Sequence, residues 1–373
     1  MPSVSGSSVR KRQAVFLTGV INMRLLHIAD VHLGVKPDAG KSWSAKREQD
    51  IWESFAKVIE TAGQQKVDFL LISGDLFHAQ PLKKELREVN YLFGQIPETK
   101  IILMAGNHDY LRQKSYYLSN EWQENVFFFR QEEIGRFDFE KENVSVYGLS
   151  YWHREIRENL YDNVLPSNSQ RINILMAHGG DVSHIPFSAE QILRNGFDYV
   201  AAGHIHKGGQ LVPERAVMAG SLEPTDCNDV GPHGYWLGEI EKGHSRVHFY
   251  PIRNCEYCHE NYFVTRQTAE REIYEWAGKL LSERPVYQYF RLFLKGKKNP
   301  DITYDVSRLE QLERVVDVVQ QLEPDYDYEK LKEEHAGSIL GEYIRSLQSM
   351  PAEEINKKAL EYGVNALLGH KIE

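Results

Sequence analysis

Hydrophobic and polar positions alternate with two different periods between residue 23 and about residue 252. Residues 24–29 form a short apolar run typical of a buried strand, and apolar residues at 51, 55, 58, 59 and 62 then recur at helical spacing. Residues 67–73 begin the next strand pattern. Apolar runs rich in Ile, Leu and Val that alternate with helical patterns predict a layered α/β domain.

Three later apolar runs have no helical pattern between them. They are residues 144–150, 235–240 and 246–252. Strands that follow one another without a crossover helix are usually antiparallel, so these runs predict a second, more antiparallel region of the same domain.

The pattern changes from Tyr262 onward. A strand is followed by a helical pattern at 269–281, a second strand at 286–294 and a helical pattern at 306–320, which together predict a small α+β domain. The acidic, poorly periodic residues 323–334 are typical of a linker. Two helical patterns follow, and in the second Pro351 has the position of a first helical residue and Gly369 that of a helix end.

These patterns predict four parts: an extension at 1–22, a principal domain at 23–252, a small domain at 253–322, and an acidic linker with C-terminal helices at 323–373. The last helix has too few apolar residues to form a core alone, so we expect the tail to pack against another surface. The segment before Met23 has a basic and a short apolar stretch but no small-residue cleavage site. We therefore expect Met23 to be the working start and the extension to be disordered or non-native.

Composition limits the function classes. The 373 residues are 42% hydrophobic and 26% charged with a formal net charge of −9, so any contact with nucleic acid must be local rather than global. Three cysteines are too few for a disulfide framework, and fifteen histidines point toward metal chemistry. No stretch is long and apolar enough to span a bilayer. A reducing, cytoplasmic location is the expectation.

Five short motifs each follow an apolar strand pattern: DVH at 30–32, GD at 74–75, GNHD at 106–109, a lone histidine at 178, and GHIH at 203–206. Because the carboxyl ends of strands in α/β sheets meet at one crevice, these motifs are expected to converge. They offer two carboxylates, one amide oxygen and four imidazoles, from Asp30, His32, Asp75, Asn107, His178, His204 and His206. This oxygen and nitrogen set suits Mn²⁺, Fe²⁺ or Zn²⁺ more than Mg²⁺ or Ca²⁺.

Seven ligands are too many for one ion and fit two, provided that one carboxylate bridges. Two divalent ions, two carboxylates and a bridging hydroxide leave a charge of about +1, which favours an anionic phosphodiester substrate. His108, in the GNHD motif, lies outside these seven residues. It is the candidate to stabilise the transition state or protonate the leaving oxygen, with Asp109 as a candidate to orient it.

In this order the motifs resemble the calcineurin-like metallophosphoesterase superfamily. The resemblance implies a four-layer α/β/β/α sandwich with a small α+β capping domain and C-terminal helices. It also implies that the first metal binds the residues Asp30, His32, Asp75 and His206, and the second Asp75, Asn107, His178 and His204. Asp75 would then be the bridge, and hydroxide held between the ions would attack phosphorus in line.

The motif contexts MRLLHIADVHLG, VDFLLISGDLFH and AGSLEPTD are similar to SbcD-type DNA-repair exonuclease subunits and their relatives. This resemblance implies a Mn²⁺-dependent DNA exonuclease or endonuclease in which His78 helps to hold the DNA phosphate. It also implies that the C-terminal helices bind an SbcC-type, SMC-like ATPase, and it leaves open whether the chain also forms a homodimer. A small-molecule phosphodiesterase or nucleotidase of the same superfamily is the alternative, because the chain is acidic, and a non-enzymatic scaffold is a third.

Two further patterns complete the sequence-based picture. Basic residues follow the metal motifs and predict a local basic rim, unless they are solvated helix faces: Lys36, Lys41, Lys46, Arg47, Lys83, Lys84, Arg87, Arg112, Lys114 and Lys207. CEYCH at 255–259 matches a haem-attachment pattern, but nothing supports secretion, so we interpret Cys255 and Cys258 as free thiols.

Overall fold

The structure, a computed structural model, describes residues 23–369. The chain divides into two compact units, each built from separated stretches. The first unit contains residues 23–30, 58–220 and 235–250, and the second contains residues 31–57, 221–234 and 251–369. The predicted extension at 1–22 lies outside the described residues, and the predicted boundaries after 252 and 322 stay predictions.

The first part of the chain contains β1 (Met23–Ile28), α1 (Ser44–Gln64), β2 (Phe69–Ser73), α2 (Lys83–Gly94), β3 (Lys100–Met104), α3 (Tyr116–Ser119), β4 (Val126–Phe128), β5 (Gly135–Phe139), β6 (Val144–Gly148), β7 (Ile172–His178), α4 (Ala189–Arg194) and β8 (Tyr199–Gly203). The remainder contains β9 (Gly209–Val212), β10 (Ala216–Met218), β11 (His233–Glu241), β12 (His244–Ile252), β13 (Glu256–Val264), α5 (Glu270–Glu283), β14 (Gln288–Lys298), α6 (Ser307–Glu310), β15 (Val315–Pro324), α7 (Tyr328–Glu334), α8 (Ile339–Gln348) and α9 (Glu354–Leu367).

Two six-stranded sheets form the first unit, in the orders β12-β11-β1-β2-β3-β4 and β5-β6-β7-β8-β10-β9. Strands β1 to β4 pair in parallel, as do β6, β7 and β8. Side chains from both sheets share one hydrophobic cluster, which includes Leu25 and Phe69 of the first sheet and Met176 and Ala201 of the second. Burial of two sheet faces against each other makes this a sandwich, so the expected layered α/β fold is confirmed.

The expected antiparallel character of the later strands is confirmed in part, but the strands do not form one region. Strand β6 pairs antiparallel with β5 and in parallel with β7 in the second sheet, whereas β11 lies antiparallel to β1 in the first. All five residues of β6 are buried, which is the pattern of a parallel strand covered on both faces. The lack of a helical pattern between the three runs was therefore a poor guide to which strands pair.

A parallel three-stranded sheet, β13-β14-β15, forms the core of the second unit with α5. Helix α5 confirms the pattern at 269–281, but the helix predicted at 306–320 is wrong. Only the short α6 is helical there, and β15 then pairs with β14 along its length. The apolar residues of 315–322 have a spacing that a helix also allows, but Val315, Val316, Val318 and Val319 are β-branched and favour a strand.

The tail is more ordered than its composition predicts. The residues expected to be a linker contain α7, whose N-cap Asp327 accepts a hydrogen bond from the backbone N–H of Lys330 at 3.0 Å. Helices α8 and α9 confirm the two helical patterns, although α9 begins three residues after Pro351. Within the described residues, no helix is long and apolar enough to cross a membrane.

Candidate metal centre

The predicted ligands of the first unit lie at the carboxyl ends of neighbouring parallel strands. Asp30 follows β1, Asp75 follows β2 and Asn107 follows β3, while His178 ends β7 and His204 follows β8. Parallel pairing within each sheet places these strand ends at the same edge. The convergence expected from the sequence follows from this topology.

The backbone at these positions is held in an uncommon conformation. Asp30, Asp75 and His204 have positive φ angles of 50°, 49° and 100°. Gly106 leaves no room for a side chain, since an added Cβ would lie 2.2 Å from Oδ1 of Asp75. Non-glycine residues rarely adopt positive φ, and such conformations cluster at functional sites where the surroundings enforce them.

Four ligand atoms meet where the second metal is expected. Oδ1 of Asn107 lies 3.0 Å from Nε2 of His178 and 3.0 Å from Nδ1 of His204. Oδ2 of Asp75 lies 3.5 Å from the same Nε2 of His178. Two imidazole nitrogens, an amide oxygen and a carboxylate oxygen therefore face one position.

Hydrogen bonds on the outer side of each ring fix which nitrogen faces this position. Nδ1 of His178 lies 2.9 Å from the backbone oxygen of Ser73, so this nitrogen carries the proton and Nε2 presents a lone pair. Nε2 of His204 lies 2.8 Å from Oδ2 of Asp181, so Nδ1 of His204 presents its lone pair. In the neutral imidazoles, lone pairs that face one another in this way are the donor set of a cation site, and the residues fit a divalent metal.

Asp30 provides a second indication of a cation. Its Oδ2 accepts a hydrogen bond from the backbone N–H of His204 at 2.8 Å, whereas its Oδ1 is buried without a hydrogen-bond partner in the described part of the chain. Asp30, Asp75 and His178 place one ligand atom each within 4.8 Å of one another. His206 also lies close enough that its charge opposes the rise that burial causes in the pKa of Asp30. Asp30 and His206 belong to the predicted first metal and His178 to the second, so the two predicted ligand sets meet at Asp75. His32, two residues after Asp30, is buried.

Burial and neighbouring carboxylates raise the proton affinity of the cluster. Burial raises the pKa of the Asp30 carboxyl to about 6, and burial together with Asp75 raises that of Asp109 to about 8. Burial lowers the pKa of the His178 imidazole, but Asp75 and Asp30 outweigh it and raise it to about 9. A cluster that binds protons this strongly without a cation is one that divalent cations would neutralise.

The predicted catalytic residues lie beside this cluster. The backbone N–H of His108 donates to Oδ1 of Asp75 at 2.9 Å, and its Nδ1 lies 3.2 Å from the backbone oxygen of His78. The rings of His78 and His108 are 5.2 Å apart. The carboxylate of Asp109 accepts from the backbone N–H groups of Gly106 at 2.8 Å and Phe77 at 3.1 Å. Asp109 thus holds two metal loops together, and its role in orienting His108 stays a prediction.

Sequence reasoning missed Asp181 and assigned no role to His184. Asp181 contacts the predicted ligand His204, and Nδ1 of His184 lies 2.9 Å from Oδ2 of the same carboxylate. The available signal was local, since an acidic residue and a second histidine follow His178 at intervals of three residues. That spacing matched none of the motifs used to predict the site.

Part of the predicted basic rim is present in the first unit. Five of its exposed residues form what we call the basic cluster: Lys83, Lys84, Arg87, Arg112 and Lys114. The ammonium of Lys83 lies 4.8 Å from the Tyr116 ring centre, and the guanidinium of Arg112 lies 4.6 Å from that of Tyr110. The side chain of Gln80 donates to the backbone oxygen of Tyr110 at 2.6 Å, which joins the two segments that carry the cluster.

Arg47 was predicted to belong to this rim, and that prediction is wrong. Its side chain is fully buried in the second unit, where it forms ion pairs with Asp50 at 3.0 Å and Glu223 at 3.6 Å and donates to the backbone oxygen of Pro224. Lys41 is also engaged within that unit, by the backbone oxygens of Glu310 and Val315. Arg47 has a structural role because a buried guanidinium needs its carboxylate partners.

The cysteines of the CEYCH segment are free thiols, as interpreted. Cys255 is buried beside Tyr257 and Tyr289, and burial raises the pKa of its thiol. Burial and the Glu256 carboxylate raise the pKa of the Cys258 thiol to about 12. Protonated thiols are poor nucleophiles and poor metal ligands.

Known proteins resemble the part of the chain that carries these loops. Residues 23–208, about half of the chain, match the family described as Calcineurin-like phosphoesterase. The chain is 29% identical over 243 residues to the "Uncharacterized metallophosphoesterase YhaO" of Bacillus subtilis, covering 60% of this chain and 58% of that protein. It is 28% identical over 256 residues to the "DNA double-strand break repair protein Mre11" of Methanopyrus kandleri, covering 59% of this chain and 55% of that protein.

Among solved structures, a dimetal phosphatase from Danio rerio aligns with 62% of this chain and 100% of its own, at 12% identity and a TM-score of 0.36. The chain spans just over half the length of the two curated relatives above.

Proposed function

Since the chain belongs to the calcineurin-like phosphoesterase family, we propose that it is a metal-dependent phosphoester hydrolase and that its substrate is DNA. In this proposal it acts as an SbcD-type exonuclease or endonuclease in DNA repair. Several curated relatives are named DNA double-strand break repair protein Mre11, which supports a nucleic acid substrate. A small-molecule phosphodiesterase or nucleotidase remains the alternative.

The observation that carries the proposal is the basic cluster in the same unit as the metal loops. Its residues follow two of those loops in the chain: Lys83, Lys84 and Arg87 come after Asp75, and Arg112 and Lys114 come after Asn107. The chain as a whole has a net charge of −9, so attraction to a polyanion would depend on local cations such as these. Exposed cations interleaved with tyrosine rings suit a polyanion that offers both phosphates and bases.

In this proposal the centre would hold two divalent ions. Asn107, His178 and His204 would hold one ion, Asp30, His32 and His206 would hold the other, and Asp75 would be shared by both. Manganese is our proposed metal because the donors are mixed oxygen and nitrogen atoms without thiolates. When bound, the two ions would supply a hydrolytic nucleophile at neutral pH and stabilise the charge that develops on phosphorus.

The residues beside the metals divide the remaining work. The backbone N–H of His108 donates to Asp75, and His108 does not belong to the ligand set. Its imidazole donates a proton to the leaving oxygen. His78 is exposed, and the partial desolvation of its imidazole together with the charge of His108 lowers its pKa. A largely neutral imidazole at that position donates a hydrogen bond to a phosphate oxygen of the DNA strand.

We further propose that the C-terminal helices bind an SbcC-type, SMC-like ATPase in the cytoplasm. Helices α8 and α9 bury Leu340, Ile344 and Val364 in their own small cluster, whereas Ile355 of α9 is 72% exposed and Tyr362 is 49% exposed. An apolar surface on a terminal helix is typical of a protein interface. A homodimer is the other occupant that this surface would suit.

The test is a nuclease assay with the full chain and Mn²⁺ on end-labelled linear and hairpin DNA, with and without the ATPase. Hydrolysis that Asp75→Asn abolishes, and that weakens steeply as salt is raised, supports the proposal. Intact DNA in both settings, together with turnover of nucleotides or bis-p-nitrophenyl phosphate, would favour the alternative. The variant His78→Ala should raise the KM for DNA and leave that for bis-p-nitrophenyl phosphate unchanged.

A further inference from the structure

We propose that Asp181 is a positioning residue of the metal centre, which holds His204 in the tautomer and orientation that a metal requires. The inference rests on the proposed two-metal centre and adds to it a residue outside the ligand set. Oδ2 of Asp181 lies 2.8 Å from Nε2 of His204. With the proton on Nε2, the lone pair of Nδ1 faces the position shared with Asn107 and His178.

The carboxylate of Asp181 is fixed before any metal binds. Its Oδ1 accepts hydrogen bonds from the backbone N–H groups of Ser183 at 2.7 Å and His184 at 3.0 Å. The loop is tied to residue Ile156 by two backbone hydrogen bonds, from Ile156 to Ser183 at 3.0 Å and from Ile185 to Ile156 at 2.6 Å. One carboxylate oxygen is therefore committed to the loop, and the other is presented to His204.

His184 supports the same carboxylate from a second side. Its Nδ1 lies 2.9 Å from Oδ2 and 3.0 Å from Oδ1 of Asp181, and its ring centre lies 4.4 Å from that of His204. A carboxylate that accepts from two imidazoles and two amides is fully used as an acceptor. This arrangement is the carboxylate–histidine support that tunes ligand orientation and basicity at metal sites.

The alternative tautomer of His204 would close the site. If Nδ1 carried the proton, it would donate to Oδ1 of Asn107, which lies 3.0 Å away and is itself a predicted ligand. That hydrogen bond would occupy two ligand atoms at once. Asp181 disfavours this state because Nε2 without a proton would face a carboxylate oxygen.

The substitution Asp181→Asn tests this directly. Oδ1 is committed to the loop amides, so the new NH₂ group takes the place of Oδ2 and donates to Nε2 of His204. We expect the tautomer of His204 to change to the Nδ1–H form, which ¹⁵N shifts of the imidazole nitrogens report in the metal-free chain. We also expect one of two Mn²⁺ ions to bind roughly 10- to 100-fold more weakly in a calorimetric titration.

Two further variants make the test specific. Asp181→Ser keeps a hydroxyl oxygen for the loop amides and removes the acceptor of His204, so it should give mixed tautomers and a weakened site. Asp138→Asn removes a carboxylate of β5 that pairs with Arg136 and Arg171, and it should leave both readouts unchanged. Backbone amide spectra establish that each variant is folded.

The outcomes separate this inference from the proposed function. If the wild-type chain binds two Mn²⁺ ions and Asp181→Asn matches it in tautomer and affinity, the positioning role is overturned and the metal centre stands. If wild type binds a third ion that Asp181→Asn loses, then Asp181, His184 and His204 form a metal site of their own, and the inference is again overturned. A wild-type chain that binds no Mn²⁺ would overturn the two-metal centre and this inference with it.

Discussion

Nε2 of His178 lies 3.0 Å from Oδ1 of Asn107, although neither atom has a proton to share in the tautomer that Ser73 selects. Two electron-rich atoms approach this closely when a cation or a proton lies between them. The Asp75 and Asp30 carboxylates raise the pKa of His178 to about 9 against the effect of burial, so without metal the proton takes this place. Metal binding must then displace it.

The first prediction concerns the stability of the metal-free protein. His178 keeps its proton up to about pH 9 and Asp109 up to about pH 8 when folded, whereas ordinary imidazole and carboxyl groups lose theirs near 6.5 and 3.8. The folded protein therefore binds more protons than the unfolded chain between pH 6.5 and 8, and the free energy of unfolding falls as pH rises. We expect the Tm measured in EDTA to fall by several degrees across this window, because each kcal/mol lost from the free energy of unfolding lowers the Tm by roughly 2–4 °C.

Excess Mn²⁺ should reduce or reverse this fall, because the ions replace the protons and bind more tightly at higher pH. Differential scanning calorimetry from pH 6.5 to 9, with EDTA and with Mn²⁺, measures both slopes. A Tm in EDTA that stays level or rises across this window would contradict the electrostatic account.

The second prediction concerns His108. The variant His108→Ala should lose about 10²- to 10⁴-fold in kcat while it binds Mn²⁺ as wild type does, since His108 is outside the ligand set. The loss should be larger on DNA than on bis-p-nitrophenyl phosphate, because p-nitrophenolate leaves without needing a proton. Steady-state rates on both substrates measure the ratio, and equal losses on the two would argue against proton donation by His108.

The third prediction concerns the basic cluster. The triple variant Lys83→Ala, Lys84→Ala, Arg87→Ala should weaken DNA binding and reduce the slope of log K against log salt by about one unit for each lost phosphate contact. Lys141→Ala removes an exposed lysine of the β5–β6 turn and serves as the matched control. Fluorescence anisotropy with labelled duplex DNA measures the slope, and the same slope in the triple variant and the control would remove the main support for a DNA substrate.

The fourth prediction concerns the buried Arg47. Burial already raises the pKa of Glu223 to about 7. The variant Arg47→Met leaves this buried carboxyl without its cationic partner, and it should destabilise the chain by about 3–5 kcal/mol. The double variant Arg47→Met, Glu223→Met should lose less stability than Arg47→Met alone, because it leaves no unpaired carboxylate buried at position 223. Arg157→Ala, which breaks an exposed pair with Glu155, should change stability by less than about 0.5 kcal/mol.

Urea unfolding followed by tryptophan fluorescence gives the three values. A double variant that is less stable than Arg47→Met would mean that Glu223 stabilises the second unit by contacts other than this ion pair.

The sequence predicted the parts of the structure that local rules decide. Asp30, Asp75 and His178 each follow a buried apolar run, so strand-end geometry alone brought them together. Long-range decisions were less visible: the direction of β6 depends on which strands lie beside it, and the burial of Arg47 depends on Glu223, which is distant in sequence. Asp181 was missed because its role comes from an acceptor geometry that a three-residue interval does not reveal.

The most direct test of the two-metal account is the rate of phosphodiester hydrolysis as a function of Mn²⁺ bound per chain. Metal-free protein is titrated with Mn²⁺ while bis-p-nitrophenyl phosphate turnover and bound metal are measured in the same sample. We expect the wild-type rate to stay low through the first equivalent and to rise as the second binds, and we expect Asp75→Asn to stay inactive at every metal concentration. Full activity at one bound ion, or activity that survives removal of all metal, would contradict the account.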